Sequence, residues 1–238
     1  MEMTAGPEAM DRSPESWSRG ARRLGIVSAT GILAIGVAYV AVIALWLILE
    51  ATPREPIPDP YLAVMEVLTM ASALALLGQV IAIRCFAGAA GRVAALAALT
   101  VGSLAAGLTM TVHFAQLTAI RQLWRLGRLA DYRLIWPSPL FAAEYFAWDI
   151  LVGLTMVCAG FAIAESPGAG RARRVLLIGG FLCLAGASGP VSGKMSLQNI
   201  AVFGYAVALP IAGALTASVF RAAVPSARPS ANDARGLC

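Results

Sequence analysis

The sequence predicts an all-α fold: a polytopic integral membrane protein built as a six-transmembrane-helix bundle, with a short amphipathic interfacial helix between helices 3 and 4. Three observations predict it. Of the 238 residues, 59% are hydrophobic and only 13% charged, where a soluble domain carries roughly 25% charged residues; the mean hydropathy is +0.76. The apolar residues fall in long blocks, each near or above the ~20 residues that span a bilayer as a helix. Most Lys and Arg residues cluster between those blocks. So few polar groups do not cover a soluble protein of this size, which excludes soluble enzyme folds and nucleic-acid readers for the bulk of the chain. The net charge of +5 serves to orient helices and meet lipid headgroups rather than nucleic acid.

The first block, Leu24–Leu49, follows Arg19, Arg22 and Arg23 in the manner of a signal peptide. Its core is too long for a signal h-region and no small-residue cleavage site follows, so it reads as a retained helix. The link ATPREPIPDP holds four prolines in ten residues and reads as a short, stiff, extended connection. The second block is Tyr61–Ile83 and the third Val93–Ala119. After the third, Ile120, Leu123, Gly127, Ala130 and Leu134 share one helical stripe, and Arg121, Arg125 and Arg128 share another. With Trp124, Tyr132 and Trp136, types that settle at headgroup level, this stretch reads as a helix lying flat on the membrane, ended by Pro137 and Pro139. Its four arginines make a seventh span too costly. The remaining blocks are Leu140–Ala164, Val175–Val191 and Leu197–Phe220. Residues 1–23 and 222–238 read as cytoplasmic tails.

The loops set the orientation. With the N-terminus inside, twelve Lys and Arg residues fall on the inner side and six on the outer, which favours both termini in the cytoplasm. The arginine-rich loop after the third block is the discordant element, and the opposite topology, which puts it inside, is the alternative. High Ala, Gly and Arg with a single Lys suggests a bacterial cell membrane as the setting.

Membrane helices associate through close packing of small residues. The third block offers Ala98, Gly102 and Ala106 at spacing four, and the sixth Gly204, Ala208 and Ala212, with a kink expected at Pro210. The fifth carries Gly179, Gly180, Gly186 and Gly189 before Pro190. Its end, ASGPVSGK, is expected to unwind, either as an early loop or as a broken helix lining a cavity. The cysteines, Cys85, Cys158, Cys183 and Cys238, show no metal-ligand spacing and no disulfide framework.

Ionisable residues inside spans are the expensive ones. Glu66 and Glu144 lie roughly 8 Å, His113 about 10 Å and Asp149 roughly 15 Å below the same boundary at helical rise. Lys194, Gln198 and Asn199 sit at the turn between the last two blocks. All fall in the same half, which points to a shared polar pocket. His113 lies roughly 20° off the Gly102 direction and so extends the packing face, with Gln116 near it. Glu144 and Asp149 lie about 140° apart and look toward different neighbours. The structural alternatives are a neutral His113 bonded to Thr109, a protonated Asp149 bonded to backbone, and Glu66 and Glu144 tied to Lys194 or Arg121. Trp148, Tyr145 and Phe146 read as packing and interface anchors.

Three function classes follow. The favoured one is a small-solute or lipid binding and transport module, with His113, Gln116, Glu144, Asp149, Glu66 and Lys194 as ligand-binding or proton-relay candidates. The second is a membrane-embedded enzyme acting on a lipid-borne substrate through His113 and the carboxylates; no HExxH or GxSxG motif supports it, and one histidine excludes multi-histidine zinc sites. The third is a non-catalytic subunit or assembly partner of another membrane protein, or a homo-oligomer. No cofactor, metal site or catalytic residue is assigned.

Overall fold

The computed structural model describes residues 17–49, 57–127 and 136–225. Every regular element among them is helical. Six helices are long and apolar enough to cross a membrane: α1 (Arg19–Leu49), α2 (Tyr61–Phe86), α3 (Arg92–Leu123), α4 (Pro139–Ala162), α5 (Gly170–Ser192) and α6 (Met195–Ala222). Each of the six apolar blocks corresponds to one of them. The observed helices α1 and α5 start earlier than the apolar blocks and take in Arg19, Arg22 and Arg23, and Arg171, Arg173 and Arg174. Arginine stems are apolar enough to continue a helix while the guanidinium groups reach toward headgroups.

Each helix packs on its neighbours in sequence, and α6 returns to pack on α1. Short connections make successive helices antiparallel, so the chain closes into a ring. Leu76, Val80, Met156, Leu209 and Phe220 fill its interior, whereas Val27, Val37, Val93, Leu104 and Ile178 face outward. The small-residue faces are where the helices meet: Ala98, Gly102, Ala106, Gly204, Ala208 and Ala212 are all buried. The backbones also approach closely around α5. A Cβ on Gly180 would stand 2.7 Å from the Gly153 carbonyl of α4, and one on Gly204 of α6 would stand 2.6 Å from the Gly179 carbonyl.

One end of the ring is closed by the first and last spans. Trp17 packs on Phe86 and Phe220, with ring centroids 5.0 and 5.2 Å away. Arg22 donates from Nε to the Phe220 carbonyl at 3.0 Å and from Nη2 to that of Arg221 at 2.7 Å. These are carbonyls that the end of α6 leaves without helical partners. The opposite end, where α2, α4 and α6 begin, is called the polar end below.

Two expectations change. The ASGPVSGK segment stays helical: Ser188–Ser192 continues α5 past Pro190, and the helix stops at Gly193, whose φ of 70° is left-handed. A turn at Ala187 separates Ser188–Ser192 from Gly170–Gly186, so Pro190 is among the first residues of its segment, whose N–H groups have few helical partners to lose. The separate flat helix after the third block is also revised in its first part, because Gln116–Ile120 and Arg121–Arg125 continue α3. Residues 128–135 of that segment lie outside the described residues, as do most of the Pro-rich link and of both tails.

At Pro210 the chain adapts one turn earlier, with a π-helical stretch at Phe203–Ala208. Two more π-helical stretches, Gln116–Ile120 in α3 and Phe146–Val152 in α4, lie in the same half of the bundle. Such stretches re-aim side chains and recur at functional sites.

Candidate functional site

Glu66 enters one turn into α2, His113 comes from α3, and Glu144 lies one turn into α4. Helical rise puts the three at a common depth, and the packing of α3 between α2 and α4 brings them into contact. His113 Nδ1 is hydrogen-bonded to Glu66 Oε2, and His113 Nε2 stands 2.8 Å from Glu144 Oε1. Glu66 and His113 are buried, at 3% and 5% exposure.

The two contacts are met by a chain of groups holding two protons, in either of two arrangements. An imidazolium donating to two carboxylates carries two ring protons and a net charge of minus one. A neutral ring that donates to one carboxylate and accepts from a protonated second carboxyl holds the same two protons and the same net charge. No Lys or Arg pairs with either carboxylate among the described residues. Arg121 pairs instead with Asp59 at the start of α2, and Lys194 is exposed at the hairpin between α5 and α6. The ties of Glu66 and Glu144 to Lys194 or Arg121 are therefore replaced by ties to His113. The two carboxylates approach the ring from opposite nitrogens, so the three groups do not converge on one point as metal ligands do.

Beside Glu144 lies a cavity of about 280 Å³ between α1, α2, α4 and α6. Its wall includes Tyr39, Phe141, Tyr145, Trp148 and Tyr205, with Thr69, Ser72 and Gln198 as further polar groups. The rings come in two pairs: Trp148 and Tyr205 have centroids 5.5 Å apart at 60°, and Phe141 and Tyr145 4.5 Å apart at 36°. Gln198 Nε2 donates to the Tyr205 hydroxyl at 3.1 Å. Two buried polar atoms of wall residues, Glu144 Oε2 and Trp148 Nε1, have no hydrogen-bond partner among the described residues. Native structures hold few such atoms, and each calls for a partner.

Of the sequence candidates, Glu66, His113 and Glu144 come together, and Glu144 also lines the cavity. Asp149 does not line the cavity: it is fully buried in the π-helical part of α4, where its carboxyl lies next to the side chain of Gln198 from the wall. Gln116 is buried on the π-helical turn of α3, also off the wall. Phe146 faces outward as an anchor does, but Trp148 and Tyr145 line the cavity. Tyr39 and Tyr205 were not singled out from the sequence. Their signal was there: a phenol hydroxyl in the middle of an otherwise apolar block.

No protein-family model matches this chain, and no curated protein or solved structure is significantly similar to it.

Proposed function

We propose that the protein is a membrane binding or transport module whose ligand, a small solute or a lipid headgroup, occupies the cavity at the polar end. The observation that carries this reading is the cavity wall itself: a hydrogen-bonded chain ending at Glu144, next to five aromatic rings and two polar atoms that have no hydrogen-bond partner among the described residues. A concave, mostly apolar pocket with a few convergent polar groups is the usual form of a small-molecule site. The arginine asymmetry of the loops supports cytoplasmic termini in a bacterial cell membrane, which makes the polar end the outer one. Transport, beyond binding, draws on the same chain of groups, since Glu66, His113 and Glu144 can carry a proton along with the ligand.

The test is thermal stability of the detergent-purified protein against a panel of lipids and of cationic, neutral and anionic solutes. A saturable rise in Tm is expected for one class, and Tyr205→Ala, which opens the wall, should abolish it. A flat response across the panel would make the polar layer structural and favour a role as a subunit of another membrane protein.

A further inference from the structure

The charge and the rings together narrow the ligand. We propose that the cavity takes an organic cation, an ammonium group carrying apolar substituents, with Glu144 as counter-charge and Tyr39, Phe141, Tyr145, Trp148 and Tyr205 as its cage. The proposal deepens the binding reading above and rests on it.

Among the described residues, the cavity wall holds one carboxylate and no Lys, Arg or His. Holding two protons, the chain of Glu66, His113 and Glu144 carries net charge minus one, and one oxygen of Glu144 has no hydrogen-bond partner among the described residues. An anion meets repulsion there, and a neutral solute leaves the charge unpaired in a low-dielectric setting, which is costly. A cation balances it. The type of cation follows from the rest of the wall. Hard metal ions take a shell of oxygen ligands, whereas this wall is dominated by aromatic rings. Aromatic faces attract ammonium groups through their quadrupole, best when desolvated, and tolerate alkyl substituents that a hydrated metal ion lacks. The size agrees: 280 Å³ is the liquid volume of about nine waters, enough for a small alkylammonium or a headgroup.

The experiment compares choline with dimethylbutanol, its uncharged carbon isostere, and adds tetraethylammonium, each titrated against the Tm of the detergent-purified full chain. The ammonium compounds should stabilise at concentrations about tenfold or more below those needed for the isostere. Glu144→Gln should remove that preference, while Glu165→Gln, an exposed carboxylate at the other end of the bundle, should keep it. Phosphatidylcholine against phosphatidylglycerol in the same micelles then tells a lipid-borne ammonium from a free one.

Equal stabilisation by choline and its isostere overturns the proposal, as does a charge preference that survives Glu144→Gln. The charge comparison on the unmutated protein decides the matter even where Glu144→Gln fails to fold. If both ammonium compounds fail while a neutral or anionic solute of the wider panel stabilises, the binding reading stands and this one falls. Silence across the whole panel removes both.

Discussion

His113 Nε2 in α3 stands 2.8 Å from Glu144 Oε1 in α4, across 31 positions of sequence. With Glu66 on the other ring nitrogen, the histidine separates two carboxylates that would otherwise share a buried space unpaired. Removing one partner of a buried charged set leaves the others uncompensated, at about 3 kcal/mol or more. His113→Ala is therefore expected to lose at least that much stability in mixed-micelle unfolding. Adding Glu66→Gln and Glu144→Gln to it should recover a large part, because the stranded charges go. A triple variant no more stable than His113→Ala would show that the three groups are not coupled.

The contact of α5 with α6 depends on the missing side chain of Gly204. Its Cβ position is already occupied by the neighbouring Gly179 carbonyl and Cys183. Gly204→Leu should separate the helices and cost about 1–3 kcal/mol, the range for overpacking. Gly107 of α3 faces outward with nothing near its Cβ position, so Gly107→Leu should stay within about 0.5 kcal/mol of the parent. Equal losses at both sites would argue against the observed packing of α5.

Ring closure at the other end predicts a measurable role for Arg22. Its two hydrogen bonds tie α1 to the final carbonyls of α6, and hydrogen bonds to a charged donor contribute about 1.5–3 kcal/mol each at most. Arg22→Gln should lower Tm and raise protease sensitivity of the C-terminal segment. Arg23, exposed one position on, provides the comparison: Arg23→Gln should change neither.

The six spans were legible because apolar block length is a one-dimensional signal that the bilayer imposes directly. The common depth of Glu66, His113 and Glu144 was legible for the same reason, since rise per residue converts position into depth. Which residues touch was not. Depth places Asp149 and Gln116 near the same layer, but depth does not give the direction in which a side chain points, and neither lines the cavity. Lys194 is close in depth yet stays exposed at a hairpin. Tyr39 and Tyr205 enter the site only because α1 and α6, the two ends of the chain, meet as the ring closes. The persistence of α5 beyond Pro190 was likewise hidden, because proline weakens a helix without dictating where it stops.

The central claim is that the Glu144-walled cavity is a ligand site reached from water, and Ser72 on its wall offers the direct probe. In proteoliposomes, Ser72→Cys should react with a water-soluble maleimide, read by mass spectrometry at that position, and saturating tetraethylammonium should slow the reaction. A cysteine at position 72 that stays unreactive, or that reacts at the same rate with and without the ammonium compound, would contradict the account.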